Sequence, residues 1–311
     1  MRKFLMAGAA AFGAASLAVS VPAMAQQTEE RGNAGAVLGR ILGDILGVET
    51  EEQAQEAAPQ ATGDLAQVLA HSRREDDRVR DQYRHPTETL DFFRVEPGMT
   101  VVDYMPAGGW YSRILIPYLG QSGTYIGLNP ELHPELTGYW DMYRNSATRI
   151  PSDARNWVGY EGARVIGLNT DDETDQLDGT ADRFLIFREI HNMRRFGWLH
   201  DSLVTARKLL KPDGLLGIVQ HRASANAPAS FVLGDKGYQR EQDVIALLGA
   251  YGFELVVRSE INANPKDPAD WEGGVWSLPP SYAGASGDAE RARRAEIGES
   301  DRMTLLFRKR P

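Results

Sequence analysis

The chain has 311 residues, with 34 Lys and Arg against 43 Asp and Glu, and a formal net charge of −9. A surface of that sign suits a phosphate backbone poorly, so nucleic acid is not expected as a partner. Cysteine is absent, which excludes disulfides, thiolate metal sites, a cysteine nucleophile and a lipidated N-terminal cysteine.

Arg2 and Lys3 precede an uncharged run rich in Ala, Leu and Gly over residues 4–21, and Ala23 and Ala25 flank Met24. This is the pattern of a secretory signal peptide cut after Ala25, which directs the chain to the periplasm or the exterior. An uncleaved anchor is the competing reading. No later apolar run approaches the roughly 18–20 residues that span a bilayer. In residues 26–63, Val37, Leu38, Ile41, Leu42, Ile45 and Leu46 recur at helical spacing beside Gly39, Gly43 and Gly47. Such a stretch reads as a weak amphipathic helix that docks on the main domain or stays loose, or as a self-associating helix. A Glu-, Gln- and Ala-rich linker follows it.

From residue 64 the chain alternates helices and strands. The charged stretch 64–84 reads as one amphipathic helix stopped by His85-Pro86, and 87–93 as a second. Strands are expected at 100–104, 123–128, 163–168, 182–187, 215–220, 253–258 and 303–308. Helices are expected at 110–119, 199–210 and 241–251, with Lys211-Pro212-Asp213-Gly214 as a stop signal. Short, nearly continuous apolar strands separated by helices imply an α/β fold. The expected architecture is a Rossmann-like, seven-stranded, mostly parallel sheet with helices on both faces. The last strand follows a long irregular connection, 261–300, and is expected to insert antiparallel.

The turn after the first strand is the main functional signal. Asp103 ends that strand, Pro106, Gly108 and Gly109 follow, and a helix then opens. Ligands of open parallel sheets bind at the carboxyl ends of the strands. Glycines let backbone approach a ligand closely, and the next helix offers free N–H groups. An ordinary strand-to-helix turn would also carry two glycines. The dinucleotide fingerprint G-x-G-x-x-G is absent, which disfavours a nicotinamide enzyme.

Four stretches carry a family resemblance: Arg80-Asp81-Gln82-Tyr83-Arg84-His85-Pro86, the run from Val101 to Tyr111, Phe187-Arg188-Glu189-Ile190-His191-Asn192, and the run from Leu210 to Arg222. With these the chain resembles the class I S-adenosylmethionine-dependent methyltransferases, and is similar to a group of exported bacterial members. The resemblance implies S-adenosyl-L-methionine as cofactor and a small-molecule or envelope-associated acceptor. It places Asp103, Pro106, Gly108, Gly109 and Arg188 at the methionine end. Asn129 stands where the family carries an acidic residue for the ribose hydroxyls, with Glu131 nearby, and an amide bonds hydroxyls less strongly than a carboxylate. Asn169, Asp171 and Asp172 are placed toward the adenine.

Methyl transfer needs alignment of the acceptor and, for some acceptors, removal of a proton. His191 follows the fourth strand and His221 the fifth, so both are candidate catalytic residues. His191 is the better base because its neutral form is available near neutral pH. Either imidazole could instead cap a helix or satisfy a buried carbonyl. Arg84-His85 is a candidate cover for the cofactor or a simple turn. Tyr139, Trp140, Tyr143, Trp157 and Tyr160 either pack an insertion or line an acceptor pocket. No histidine pair has metal spacing. Two functions from different classes follow: an exported methyltransferase, or an exported binding module that keeps the fold without catalysis.

Overall fold

The computed structural model describes residues 63–159 and 161–311. The expected signal peptide, the segment after it through residue 62, and Tyr160 lie outside the described residues.

Seven strands form one sheet: β1 (Thr100–Tyr104), β2 (Thr124–Asn129), β3 (Arg164–Asn169), β4 (Ala181–Phe187), β5 (Leu210–His221), β6 (Phe253–Ser259) and β7 (Arg302–Lys309). Their order is β3-β2-β1-β4-β5-β7-β6. The pairings from β3 to β5 are parallel, and β7 runs antiparallel to both β5 and β6. The expected Rossmann-like sheet with an antiparallel last strand is therefore present. The inner strands β1, β2, β4, β5 and β7 carry buried apolar side chains in both directions, because both of their faces are covered, whereas the edge strand β6 is largely exposed. Val102, Ile126, Phe184, Ile186, Ile218 and Leu305 face one helical layer. Val101, Tyr125, Leu185, Phe187, Val219 and Leu306 face the other.

The helices are α1 (Leu65–Ala70), α2 (Asp81–Arg84), α3 (Pro86–Phe92), α4 (Ser112–Leu119), α5 (Ser146–Val158), α6 (Ile190–Phe196), α7 (Leu199–Leu209), α8 (Glu241–Ala250) and α9 (Asp288–Ile297). Among the described residues, no helix is long and apolar enough to cross a membrane.

Three expectations are corrected. Residues 64–84 are not one helix. The Asp64 carboxylate caps α1 by accepting from the N–H groups of Ala66 and Gln67. The helix then ends where His71 turns extended and its Nδ1 accepts from the Arg73 N–H. Arg74 and Arg78 take the freed carbonyls of Leu69 and Ala70, and Arg74 also pairs with Asp81 at 2.7 Å. Two single 3-10 turns result, Ser72–Arg74 and Arg78–Arg80. Second, the helix before Lys211 does end, at Leu209 with Leu210 as its C-cap, but Lys211 to Gly214 are not a separate turn. They lie inside β5, where the register to β4 shifts between Ala181 and Arg183. Third, α9 lies inside the connection 261–300, expected to be irregular, and α5 and α6 form in stretches with no expected element. The polar helix α5 starts at Asn145, in the left-handed region, and carries Pro151 in its first turns.

Glycines let α5 lie close on the sheet. Gly127 and Gly167 are paired neighbours on β2 and β3. A Cβ on Gly167 would meet the Ser146 carbonyl oxygen at 1.8 Å. Gly167→Ala should therefore push α5 away and destabilise the protein by about 1–3 kcal/mol, as overpacking does. Gly249, in α8, has open space around its added Cβ. Gly249→Ala should stabilise by about 0.5–1 kcal/mol through backbone entropy. Urea denaturation of the two variants checks the pair; equal midpoints would contradict this packing.

Candidate active site

The carboxyl ends of β1, β2, β4 and β5 meet where neighbouring strands depart in opposite directions, the usual ligand position in such sheets. After β1, residues 105, 107 and 109 all take positive φ (53°, 48° and 76°), although only the last is glycine. The Met105 N–H donates to the Leu128 carbonyl at 2.8 Å, which ties the turn to β2. The two glycines differ. A Cβ on Gly109 would lie 2.5 Å from the Trp157 ring, so this glycine makes room for Trp157. A Cβ on Gly108 would meet nothing within 4 Å.

Gly108 lines a cavity of about 230 Å³ together with Pro106, Ala107, Asn129, Tyr143 and Trp157. Asn129 is 3% exposed. Its Nδ2 donates to Ser146 Oγ at 2.9 Å, while its Oδ1 is buried without a partner. An orphaned buried acceptor in a residue that lines a cavity is costly unless a donor reaches it. The hydroxyls of a ribose are such donors, so the residues present fit the nucleoside part of S-adenosylmethionine. Beyond β2 and β3 lies a second cleft of about 470 Å³, lined by Glu131, Arg144, Ser146, Asn169, Asp171 and Asp172. Asp171 is exposed there. Asp172 accepts from the Asn169 N–H at 2.7 Å. Asn169 is internally committed: it accepts from the Ser146 N–H and donates to the Pro130 and Tyr143 carbonyls.

Asp103 does not face open space as expected. It is 2% exposed and its Oδ2 accepts from the Tyr125 hydroxyl at 2.9 Å, which in turn is bonded to Ser112. Burial pushes the Asp103 carboxyl up to about 7, against the Tyr125 hydrogen bond and the Arg188 charge. Glu189 follows β4 and bonds Asn192 at 2.8 Å. Burial raises it to about 7 as well, again opposed by Asn192 and Arg188. The sequence pointed to the histidine two residues on and passed over this carboxyl. Its only local mark was adjacency to the strand end.

The two candidate histidines are neighbours, with ring centroids 5.6 Å apart. Both are buried. Burial and the Arg188 charge push His191 down to about 3. Burial, His191 and Arg188 hold His221 well below the usual range, and its Nδ1 lies 2.5 Å from Ser300 Oγ. Both are thus neutral at physiological pH, as expected for His191, but an imidazole so hard to protonate is a weak base.

Arg188 occupies a left-handed position after β4, with φ of 66°, and is partly exposed. Beside it the Tyr111 ring stacks on Phe187 at 3.5 Å, and Trp110 packs edge-on against Tyr111 at 4.6 Å. The Arg84 guanidinium lies 4.6 Å over the Trp110 ring. Glu299 then binds Arg80 at 2.5 Å, Arg302 at 3.1 Å and Arg84 at 3.4 Å. Burial opposes ionisation of Glu299, but Arg302, Arg84, Arg80 and Arg188 outweigh it and hold the carboxyl at about 2. This cluster joins residues more than 200 positions apart and had no signal in the sequence beyond the Arg84-His85 motif. The aromatic insertion divides between the two readings. Trp140 packs on Phe196 and Trp198, whereas Tyr143 and Trp157 line the smaller cavity.

No family model matches the chain, and no curated protein matches it. Among solved structures it is similar to an S-adenosylmethionine-dependent methyltransferase from Aquifex aeolicus, at 18% identity over 64% of this chain and 93% of that one, with a TM-score of 0.44. It is also similar to a chain of the complex between the Haloferax volcanii Trm112 methyltransferase activator and a methyltransferase, at 14% identity, 79% and 98% coverage and a TM-score of 0.46. A third is the Burkholderia thailandensis 1,6-didemethyltoxoflavin-N1-methyltransferase with bound S-adenosylhomocysteine, at 11% identity, 93% and 94% coverage and a TM-score of 0.39. The strand order and the antiparallel β7 make the fold the Rossmann-like one of class I methyltransferases.

The carboxyls impose opposite pH dependences. Asp103 rises from 3.8 to about 7 on folding, so the native state holds more protons in that window and stability falls as pH rises through it. Glu299 drops from 4.5 to about 2, so its contribution is present above 4.5 and is lost as pH falls through about 2. Asp103→Asn keeps the Tyr125 hydrogen bond and removes the titration. It should raise stability at pH 8 by on the order of 4 kcal/mol. It should also flatten the decline between pH 4 and 7, read by urea denaturation across pH; an unchanged slope would contradict the assignment.

Proposed function

We propose that this protein is an S-adenosylmethionine-dependent methyltransferase acting on a small acceptor. The observation that carries the reading is the unpartnered, buried Oδ1 of Asn129, a residue that lines the cavity shared with Pro106, Ala107 and Gly108. It supports a nucleoside hydroxyl at the end of β2, next to the turn where the fold receives its ligand. Bound there, S-adenosylmethionine supplies a methyl group on a sulfonium, taken by an acceptor lone pair while the bonding pair stays on sulfur.

The chain's own residues then have separate tasks. Asn129 accepts from the ribose, and the 105–109 turn shapes the passage beside it. Arg188 and Asp103 stand toward the methionine end, with Asp103 held by Tyr125. Glu189, at about 7, has the proton affinity that suits removal of an acceptor proton at neutral pH. His191 and His221 serve as neutral walls and hydrogen-bonding groups beside it. Asp171 borders the wider cleft toward which the adenine extends.

Calorimetry with S-adenosylmethionine and S-adenosylhomocysteine tests this. Gly108→Val should weaken binding at least tenfold, about 1.4 kcal/mol, with little change in stability because its side chain enters open space. Gly109→Val is the wrong probe, since it would strike Trp157. Glu189→Gln should keep cofactor affinity and lower turnover of an accepted substrate by roughly 10²–10⁴-fold. Should the parent bind neither compound, the binding-module reading replaces this one.

The reading extends to export. The charged start, the apolar run and Ala23-Met24-Ala25 support removal of residues 1–25. N-terminal sequencing of protein from the producing cell should begin at Gln26, and intact Met1 in the cytosol would contradict it.

A further inference from the structure

The arginine cluster has more positive charge than its partners neutralise. Arg84 is 1% exposed. Its Nε is 3.4 Å from Glu299, but Nη1 and Nη2 are buried with no hydrogen-bond partner. Glu299 cannot serve them, because Arg80 and Arg302 hold its two oxygens more closely. Arg302 is itself fully used, donating to the Ser300 and Tyr83 carbonyls besides Glu299. Arg188 forms no ion pair among the described residues and is partly exposed. Four guanidinium groups, from Arg80, Arg84, Arg188 and Arg302, thus face one committed carboxylate. Counting Asp103 and Glu189 as fully ionised still leaves one positive charge.

The stack of Arg84 on Trp110, Trp110 against Tyr111 and Tyr111 on Phe187 links the Arg84 guanidinium through two rings to the last residue of β4, after which Arg188 follows. After burial, the Arg188 charge is the largest cause lowering the Arg84 guanidinium. A buried arginine with two idle donors beside a second cation is costly unless an anion joins them. Planar, forked donors of this kind suit a two-oxygen anion.

We propose that Arg84 and Arg188 form a receptor for one carboxylate or phosphate group at the carboxyl end of β4. The proposal rests on the methyltransferase reading only for which molecules bring that group: the acceptor, or the amino-acid end of the cofactor. The charge count favours the acceptor, because S-adenosylmethionine carries a net positive charge and leaves the excess in place.

The test uses residues 26–311, at constant ionic strength. Inorganic phosphate should raise the parent's Tm saturably. Its dissociation constant should be at least tenfold weaker in Arg84→Met, which keeps an apolar contact to Trp110, and in Arg188→Gln. Calorimetry with S-adenosylhomocysteine and with 5′-methylthioadenosine, which lacks the amino-acid end, then assigns the bearer. If phosphate still binds with S-adenosylhomocysteine present, and both variants keep parental affinity for it, the acceptor brings the anion. If the variants lose S-adenosylhomocysteine but keep 5′-methylthioadenosine, the cofactor's carboxylate is the occupant. A phosphate response equal in the parent and both variants, with unchanged S-adenosylhomocysteine affinity, overturns the receptor. If Arg84→Met does not fold, Arg188→Gln decides alone. Should the parent bind neither adenosine compound while the variants lose phosphate, the receptor stands and the cofactor reading fails.

Discussion

Glu299 pairs with Arg80, Arg84 and Arg302, and this shared carboxylate holds the N-terminal segment against the strand next to His221. All but Arg80 among the four are buried to within a few per cent. Burying such charges is tolerable only as a group, because each ion left alone would lose its hydration without return. The cluster ties the irregular N-terminal segment to the start of β7. Arg302 is opposite His221 in the β5–β7 register. The antiparallel entry of β7, the seating of α2 and the position of the His221 ring are therefore one arrangement.

The same segment is fixed from the other side by aromatic stacking. Trp110, at the opening of α4, lies under Arg84 at 4.6 Å and Arg74 at 5.1 Å. Each cation–π contact contributes more when desolvated, as these are. Trp110 then passes the constraint through Tyr111 to Phe187 on β4. The turn after β1 is thus gripped between the N-terminal segment and the centre of the sheet. That grip accounts for non-glycine residues persisting at positive φ at positions 105 and 107, a conformation that costs energy unless the surroundings enforce it.

Burial at the strand ends acts on acids and bases in opposite senses. It raises the carboxyls of Asp103 and Glu189 toward neutrality and depresses the imidazoles of His191 and His221. Arg188 opposes the first effect and adds to the second, since a nearby cation favours carboxylate and disfavours imidazolium. A carboxyl, not a histidine, thereby acquires the neutral-range proton affinity at this site. Residue type alone suggests the reverse assignment, because unperturbed values place histidine nearest to neutral.

The sheet was legible in the sequence because strands covered on both faces are short, nearly continuous apolar runs. All seven strands and the antiparallel last one follow from that pattern and the spacing between runs. The turn at 105–109 was legible as a strand-to-helix turn from its glycines and its place after β1. Helix α5 was hidden by its polar composition and by Pro151. The break in 64–84 was hidden because His71, Arg74 and Arg78 cap backbone groups through side-chain geometry that periodicity does not record. Asp103 could be placed at a strand end, but its inward turn to Tyr125 depends on a residue of the neighbouring strand. The roles of Gly108 and Gly109 separated only when Trp157 was folded over one of them. The arginine cluster is the extreme case: its members become neighbours through sheet order and chain reversal, so their mutual charge is a property of the tertiary structure alone.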